Sequence, residues 1–293
     1  MNLTGTQAQT NTPTNVVNKA VAIIPARFAS SRFPGKALEK IGGRPMICCV
    51  AECAAAAQNV ARVIVATDDQ RISEAVRAAG FEAVMTRSDH ASGTDRIAEV
   101  AAKLDDVEII VNVQGDEPLI SPETIERAVE ALDGGTGEQE NGGKGEGEFG
   151  IATTWERIDR VEDVLNPDVV KIVVDHDSRA LYFSRSPVPY PREAARKHGS
   201  IEAALRNDPE LLNQFRKHTG LYVYRKDVLL ALSRWPQSVL ERAESLEQLR
   251  ALEHGVRIKA VEAATRSIGV DTREDLERVR RRVSESGVLS AES

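Results

Sequence analysis

The sequence predicts an α/β fold in which a mixed, mostly parallel β-sheet is flanked by helices. Two observations predict this class. Short runs rich in β-branched residues alternate with helix-forming segments through the first half of the chain, and these runs are apolar throughout rather than at every second position. A strand that is apolar on both faces is typical of a parallel sheet covered by helices on both sides.

The first half of the chain supplies four pairs of strand and helix in order. Gly80 is a stop signal for the second helix, and Ser121 and Pro122 fit the N-cap and first position of the fourth. The predicted strands are KAVAIIPA, RVIVATDD, FEAVMT and VEIIVNVQGDEP, and the predicted helices are PMICCVAECAAAAQ, QRISEAVRAAG, SGTDRIAEVAAKL and SPETIERAVEAL.

A Gly- and Glu-rich stretch, residues 133–149, follows the fourth helix. Its composition is typical of a flexible surface insertion, and the strand pattern resumes directly after it with GIATTWERI. Because long surface loops cost little closure entropy, we expect the fold to tolerate this insertion.

The second half mixes its elements. The segment DVVKIVVDHDSRALYFSRSPVPYP is predicted to form two strands joined at Asp175–Asp177, a turn-rich tip. A mostly helical, polar segment follows, IEAALRNDPELLNQFRKH. Strands TGLYVYRK and VRIKAVEA flank an amphipathic helix, ESLEQLRALEHG, and Asp271 or Thr272 is predicted to cap a closing helix.

The overall composition excludes several classes of protein. The chain has 293 residues, 41% apolar and 28% charged, as in an ordinary globular protein. Its formal net charge of -7 disfavours charge-driven binding of nucleic acid, which needs a basic face. The polar N-terminus has no apolar segment of the kind that a secretory signal contains, and no apolar run is long enough to span a bilayer.

Three cysteines, Cys48, Cys49 and Cys53, fall on one predicted helix. An odd, clustered set is a poor disulfide framework, so we expect reduced core thiols and a reducing compartment, the cytoplasm. Adjacent helix positions point about 100° apart and no histidine lies nearby, which disfavours a metal site from these three.

The loop after the first strand, ARFASSRFPGKAL, brings together Arg27, Arg32 and Lys36. Arginine forks and a lysine point charge are common phosphate ligands, and the ligand of an open parallel sheet lies beyond the carboxyl ends of its strands. The spacings of the P-loop and of the dinucleotide-binding fingerprint are both absent. The residues alone leave two interpretations, a polyphosphate site or a solvated basic loop.

Two acidic positions are candidate metal ligands. Asp116 and Glu117 follow a predicted buried strand, and Asp271 follows Val270 before the closing helix. Mg²⁺ favours one or two carboxylates together with substrate phosphates. The alternatives are an acidic turn at Asp116 and a helix cap at Asp271.

Three further segments contain residues with both a functional and an ordinary interpretation. Arg185 ends a strand beside two prolines, where it could bind a carboxylate or simply lie on the surface. His218 and Tyr222 flank a strand start, and a lone histidine is more often structural than catalytic. Glu247 and Gln248 lie off the leucine stripe of their helix, so solvent exposure is their default.

Seven segments in chain order carry a specific resemblance: IIPARFASSRFPGKAL, MTRSDHASGTDR, NVQGDEPLI, LYFSRSPVPY, HTGLYVYRKDVL, LEQLR and GVDTREDLERVR. This series closely resembles the 3-deoxy-manno-octulosonate cytidylyltransferase (CMP-KDO synthetase) family, from about Val21 to Val283. The family makes CMP-KDO from CTP and the eight-carbon acid sugar KDO for bacterial lipopolysaccharide. The resemblance implies its Rossmann-like nucleotide-diphospho-sugar transferase fold and that activity.

The resemblance also implies residue roles. Nucleotide binding is implied for Arg27, Arg32, Lys36, Arg87, Ser92, Gly93, Thr94 and Gln114. Sugar binding is implied for Arg185, His218, Tyr222, Glu247 and Gln248. Asp116 and Asp271 are the implied Mg²⁺ ligands and, with Arg27 and Lys36, the implied catalytic residues. A triphosphate carries about four charges, which explains why several cations share the first loop.

The implied chemistry is in-line attack of the anomeric 2-hydroxyl of KDO on the α-phosphorus of CTP, with loss of pyrophosphate. Such a reaction needs positioning and charge stabilisation more than a covalent intermediate, so we expect no nucleophilic serine or cysteine. The sequence offers no compelling general base. The resemblance further implies a homodimer.

The implied domain organisation is one cytidylyltransferase domain at residues 19–284, with tails at 1–18 and 285–293. A smaller sugar-binding and dimerisation part is expected at about residues 175–225. Within it, residues 192–208 match the family pattern weakly, which leaves any sugar contact there open.

Three rivals remain at this point. A cytidylyltransferase for sialic acid is one, but the loop sequence FASSRF favours KDO over that family's Gly- and Lys-richer loop. An amino-substituted analogue, 8-amino-KDO, needs few altered contacts. A non-catalytic nucleotide-binding protein on the same fold predicts loss of the acidic pair, yet Asp116 and Asp271 are both present.

Overall fold

The computed structural model describes residues 20–29, 33–133 and 148–286. The strands are β1 (Ala20–Ala26), β2 (Lys40–Ile41), β3 (Arg44–Pro45), β4 (Val60–Thr67), β5 (Glu82–Met85), β6 (Ile109–Asn112), β7 (Ile151–Arg157), β8 (Lys171–Val174), β9 (Ala180–Ser184), β10 (Arg216–Arg225) and β11 (Ile258–Glu262). The helices are α1 (Met46–Ala55), α2 (Gln70–Ala78), α3 (Gly93–Ala101), α4 (Pro122–Asp133), α5 (Val161–Leu165), α6 (Arg192–His198), α7 (Ile201–Asn207), α8 (Lys226–Leu232), α9 (Val239–Glu244), α10 (Gln248–Glu253) and α11 (Arg273–Ser286).

A nine-stranded sheet organises the molecule, in the order β11-β7-β10-β6-β1-β4-β5, with the β8–β9 hairpin attached to β10. β6, β1, β4 and β5 run parallel to one another, and β11 is parallel to β7. β10 runs antiparallel to both β6 and β7. The prediction of a mixed, mostly parallel sheet is therefore confirmed.

Alternate residues of β1 face opposite cores. Ala22 and Ile24 pack in the cluster that includes α1 and α4, whereas Val21 and Ile23 pack in the cluster that includes α3. Both faces of the strand are covered, so apolar side chains are favoured at every position. This is the physical basis of the uniformly apolar runs in the sequence.

A third core cluster joins residues from near the start and near the end of the described chain. Phe33, Ile41 and Met46 pack against Val270 and the apolar face of α11. The loop after β1 and the loop before α11 are thereby held on the same side of the molecule, next to the carboxyl ends of β1 and β6.

The strand and helix predictions of the first half are confirmed, as is the hairpin with its tip at Asp175–Asp177. The helices α5, α8 and α9 have five to seven residues, too few to show a helical period in sequence. In the structure, Asp133 is the last residue of α4, Phe149 packs against the core, and α11 continues to Ser286.

The remainder of the insertion, residues 134–147, lies outside the described residues, as do residues 1–19 and 287–293. Among the helices of the described ranges, none has the length and apolar character needed to cross a bilayer.

Candidate active site at the carboxyl edge of the sheet

The loop after β6 lies against the carboxyl end of β1 because residue 115 is glycine. A Cβ atom at Gly115 would lie 2.8 Å from the carbonyl oxygen of Pro25 and 3.3 Å from Ile47. Any larger residue would push the two segments apart. Gly115 therefore brings Asp116 against the loop that follows β1.

The loop after β1 turns back on itself. The Gly35 amide donates to the Phe28 carbonyl at 2.9 Å, and Gly35 has a positive φ of 74°, which glycine adopts without strain. The Arg71 guanidinium lies 3.5 Å above the Phe28 ring and fixes the start of the turn. The turn returns Lys36 to the sheet edge, whereas Arg32 lies outside the described residues.

Lys36 joins the two predicted metal ligands. Its Nζ donates to Asp116 Oδ2 at 2.7 Å, to Asp271 Oδ1 at 3.5 Å and to the carbonyl of Val270 at 3.0 Å. The Val270 amide also donates to the Asp116 carbonyl at 2.8 Å. Two carboxylates that lie far apart in sequence are thus held around one ammonium.

The cap of α11 settles the competing role of Asp271. Thr272 Oγ1 accepts from the Asp275 amide at 3.2 Å, and the Asp275 side chain accepts from the Thr272 amide at 3.1 Å. This reciprocal pair caps the helix. The Asp271 carboxylate instead contacts Lys36.

The acidic pair after β6 divides between two environments. Asp116 is partly exposed and faces Lys36. Glu117 faces a small polar recess beside Glu156 and Ser267. Burial, and then the charge of Asp116, raises the pKa of Glu117 to about 7. Asp116 is therefore the carboxylate of the pair that is available to a ligand.

A cavity of about 270 Å³ opens at this edge of the sheet. Polar groups from five chain segments line it: Arg27, Lys36, His90, Ser92, Gly93, Arg96, Gln114, Asp116 and Asp271. Three of the four predicted catalytic residues, Lys36, Asp116 and Asp271, are joined here through the Lys36 ammonium. The fourth, Arg27, also lines the cavity. Cations and carboxylates together suit a phosphate ligand and its counter-ion.

The N-terminus of α3 forms one wall of the cavity. Ser92 caps the helix by accepting from the Asp95 amide at 3.1 Å, and Gly93 lies 3.4 Å, at its would-be Cβ, from the Pro25 ring. Thr94 points away from the cavity and donates to Glu247 Oε2 at 2.6 Å. Thr94 thus connects the predicted nucleotide-binding segment to a predicted sugar-binding residue.

Arg87 lies apart from the other predicted nucleotide residues. Its side chain is 69% exposed, pairs with Asp89 at 3.3 Å and lines a neighbouring surface groove. Its amide, not its guanidinium, is fixed by the Glu99 carboxylate at 3.1 Å.

Two residues that line the cavity, Arg96 and His90, are not among the site residues that the sequence predicted. Arg96 is only 4% exposed and donates to Asp68 Oδ2 at 2.8 Å, and His90 contacts Glu99 at 2.7 Å. Burial opposes ionisation of Glu99, but contacts that include His90 lower its pKa to about 2. In sequence, Asp68, directly after β4, was a usable signal, because a partly buried carboxylate at a sheet edge favours a cationic partner.

The five predicted sugar-binding residues form a second group that does not line this cavity. The His218 and Tyr222 rings lie 5.2 Å apart on β10, and Glu247 and Gln248 lie at the start of α10. Gln248 is 7% exposed and Glu247 is half-buried, so the default of solvent exposure was wrong. Gln114 Nε2 donates to the Gly220 carbonyl at 3.2 Å and joins the two groups.

Arg185 and His218 are both fixed by neighbouring groups. The Arg185 guanidinium donates to the carbonyls of Glu244, Pro167 and Ser245 at 2.7, 2.9 and 3.4 Å. His218 Nε2 lies 2.9 Å from Thr153 Oγ1, whose own hydrogen goes to the Leu221 carbonyl. His218 Nε2 is therefore the donor. Burial, and then the charge of Lys217, lowers the pKa of His218 to about 3.

The fold and this site define a nucleotidyltransferase, and comparison with known proteins agrees. The Cytidylyltransferase family model matches residues 21–258. A 4-diphosphocytidyl-2C-methyl-D-erythritol synthase from Anaerococcus prevotii, 12% identical with a TM-score of 0.56, shares the fold over 91% of this chain and 97% of its own.

The chain belongs more narrowly to the 3-deoxy-manno-octulosonate cytidylyltransferase family. It is 51% identical to such an enzyme from Geobacter sulfurreducens over 88% of this chain and 96% of the relative, and 49% identical to that of Geobacter metallireducens over 91% and 98%. A solved structure of CMP:2-keto-3-deoxy-manno-octonic acid synthetase complexed with CTP is 42% identical, with a TM-score of 0.78 over 92% of this chain and 99% of that one.

Proposed function

We propose that this protein transfers CMP from CTP to the anomeric 2-hydroxyl of KDO, giving CMP-KDO and pyrophosphate. The observation that carries the proposal is the convergence of Lys36, Asp116 and Asp271 at one cavity. It occurs in a chain that is 42% identical to a synthetase solved with CTP. Formation of CMP-KDO activates the sugar for lipopolysaccharide synthesis.

The nucleotide half of the site supplies positive charge and backbone donors. Arg27 and Lys36 lie on one wall, and the N-terminus of α3 at Ser92 and Gly93 lies on another. Cations and helix N-termini both favour phosphate oxygens. These groups hold the triphosphate and stabilise the charge that develops on the leaving pyrophosphate.

Asp116 and Asp271 are the residues that would hold Mg²⁺. Both carboxylates reach the same Lys36 ammonium, at 2.7 and 3.5 Å, so both face one point beside the phosphate-binding wall. The described ranges contain no cluster of three or more acidic, histidine or cysteine ligands. Two carboxylates plus substrate phosphates is the ligand set that Mg²⁺ favours. Bound Mg²⁺ would neutralise phosphate charge and lower the pKa of the attacking hydroxyl.

The sugar half of the site has donors placed for an acid sugar. Arginine has five N–H donors, and three hydrogen bonds to carbonyls orient the Arg185 guanidinium. The donors that remain suit the sugar carboxylate. His218 stays neutral because of its low pKa, so it contributes a hydrogen-bond acceptor at Nδ1 rather than a charge. Tyr222, Glu247 and Gln248 complete the group.

We also propose that the protein is a homodimer of the cytoplasm. Three exposed apolar side chains support the first point, Leu181, Tyr190 and Val239, at 47%, 61% and 67% exposure, two of them within residues 175–225. The unpaired thiols of Cys48, Cys49 and Cys53 fit a reducing compartment. Light scattering at two protein concentrations checks the dimer, and a monomer at both would contradict it.

The test of the activity is release of pyrophosphate from CTP and Mg²⁺ with KDO, 8-amino-KDO, sialic acid or no sugar, with the CMP-sugar confirmed by mass spectrometry. We expect release with KDO and none without sugar. Preference for another acid sugar would reassign the substrate but keep the chemistry. Binding of CTP without turnover on any sugar would instead indicate a nucleotide-binding protein.

A further inference from the structure

Lys171 is a fully buried lysine whose partners are backbone carbonyls. Its side chain is 0% exposed. The Nζ atom donates to the carbonyls of Asn166, Val169 and Arg185, at 3.0, 2.6 and 2.6 Å. Burying an ammonium costs several kcal/mol even after partial compensation. Three carbonyls aimed at one point offset that cost. Removal of the ammonium would take a donor from each of them, although the Asn166 carbonyl also accepts from the Val169 amide at 3.2 Å.

The three carbonyls belong to the two segments that hold Arg185. One carbonyl is that of Arg185 itself, at the end of β9. The other two lie on either side of Pro167, and the Pro167 carbonyl accepts from Arg185 Nη1 at 2.9 Å. Lys171 thus fixes both the backbone from which the Arg185 side chain starts and the loop that its guanidinium contacts.

The same loop also reaches His218. The Val170 carbonyl, directly before Lys171, accepts from the His218 amide at 2.8 Å. Lys171 and Lys217 face each other in the pairing of β8 with β10, next to His218. Two of the five predicted sugar-binding residues therefore depend on the geometry of the segment 166–171.

Glu244 completes the arrangement from the opposite side. Its carboxylate accepts from the Ser184 hydroxyl at 2.7 Å and from the Arg185 amide at 2.9 Å. Desolvation lowers the pKa of Lys171, and Glu244 opposes that shift, so the two charges stabilise each other across Arg185.

We propose that Lys171 is a positioning residue for the acid-sugar half of the site, which orients Arg185 through the carbonyl cage of segment 166–171. The inference rests on the proposed function of Arg185 in binding the sugar carboxylate. The three hydrogen bonds of the Lys171 ammonium lie in the sugar half of the site and not at the nucleotide cavity. Loss of the ammonium therefore weakens sugar binding selectively.

The test compares Lys171→Met with the wild type by steady-state kinetics. We expect KM for KDO to rise about tenfold or more, while KM for CTP stays within about twofold. The control is Lys259→Met, which removes a partly exposed lysine that also donates to a carbonyl, that of Asp177 at 2.7 Å. The control should change neither KM. Equal KM values in Lys171→Met and wild type, with only a lower melting temperature, would overturn the inference.

A double-mutant cycle separates positioning from general stabilisation. If Lys171 acts through Arg185, the variant with both Lys171→Met and Arg185→Met has the same KM for KDO as Arg185→Met alone. Additive effects would contradict the inference. Should Lys171→Met fail to fold, Lys171→Gln carries the test. Its amide has two N–H donors for three carbonyls, so KM for KDO should still rise while KM for CTP does not, and an unchanged KM for KDO would contradict the inference.

The activity assay of the wild type distinguishes a failure of the Lys171 inference from a failure of the proposed function. If the wild type transfers CMP to KDO and the Lys171 variants keep a normal KM for sugar, only the inference fails. If the wild type uses a different acid sugar, the proposed substrate fails, and the cycle is repeated with the sugar that is used.

Discussion

Lys36 is the residue at which distant parts of the chain meet. One ammonium contacts a carboxylate after β6, a carboxylate before α11 and the carbonyl of Val270. The Lys36 pair is only partly exposed, and ion pairs of this kind near a surface contribute little to stability, about 0–1 kcal/mol. The contact therefore matters mainly for position, since it holds both carboxylates at the cavity.

At this residue scale, Asp116→Asn should abolish most turnover without unfolding the protein. Asparagine keeps the shape but loses the charge that faces Lys36 and the proposed Mg²⁺, and loss of one such electrostatic group costs ~10²–10³ in kcat. Steady-state kinetics at saturating Mg²⁺ and a melting curve check both parts.

The matched control for Asp116→Asn is Asp159→Asn. Asp159 is also an ion-paired aspartate, 2.6 Å from Arg266, but it does not line the cavity. The control should keep near-normal kcat. A near-normal kcat for Asp116→Asn itself would show that the metal assignment is wrong.

The lowered pKa of His218 makes the free energy of unfolding depend on pH. Its pKa is about 3 in the folded state and 6.5 ordinarily. On acidification the unfolded chain therefore gains a proton before the folded protein does, and this contribution to stability is lost as the pH falls from about 6.5 toward 3. His218→Gln removes the titration. Between about pH 7 and pH 4.5, wild type should lose roughly 2 kcal/mol more stability than the variant.

Urea unfolding at the two pH values measures this difference. His176→Gln is the control, because the His176 side chain is 89% exposed. That control should lose stability with acid as the wild type does. Parallel losses in wild type and His218→Gln would contradict the buried, neutral state of His218.

At the scale of elements, residues 134–147 are bracketed by a defined junction. Arg225 donates to the Leu132 carbonyl at 3.4 Å and pairs with Glu148, so the two flanks of this segment meet at one guanidinium. Phe149 then packs against the core, with the Arg257 guanidinium 4.6 Å from its ring.

Deletion of residues 137–144 should therefore leave kcat and both KM values within about twofold of wild type, because the junction remains and closing a shorter loop costs less entropy. Steady-state assays and melting temperature are the measurements. The comparison variant, Phe149→Ala, should lower stability without changing KM. A large loss of activity in the deletion would mean that this segment contributes to the site or to the dimer.

The elements that the sequence predicts well are those governed by burial on both faces. β1, β4 and β6 are apolar runs because both sides of the strands are covered, and their polar ends are where the site forms. The β8–β9 hairpin was predictable from its turn. Short helices such as α8 and α9 were not, because one or two turns show no period.

Individual roles were harder to predict, since a polar residue on a helix has the same sequence signal whether it faces solvent or a buried partner. Gln248 looked solvent-exposed, yet it is 7% exposed, and Arg96, for which the sequence predicted no role, is 4% exposed. The exposure of such residues depends on tertiary contacts that no local pattern contains. The cap of α11 is different, because Thr272 and Asp275 fit the local capping-box pattern, and this pattern was a usable signal for Thr272 over Asp271.

At the scale of the whole molecule, the site is assembled from both ends of the described chain. The main sheet is complete at Glu262, but Asp271 and α11 come later. α11 also covers the third core cluster, which includes Ile41 and Met46. Packing of α11 on this cluster is thus coupled to the placement of Asp271 beside Lys36 and Asp116.

This chain order has a consequence for biosynthesis. A nascent polypeptide can finish pairing its strands while the residues that complete the acidic pair are still on the ribosome. Capture of a nucleotide is then among the last properties that the newly made protein acquires. A premature stop codon before Val270 would yield a product with its sheet intact, an uncovered apolar patch and a single remaining carboxylate beside Lys36.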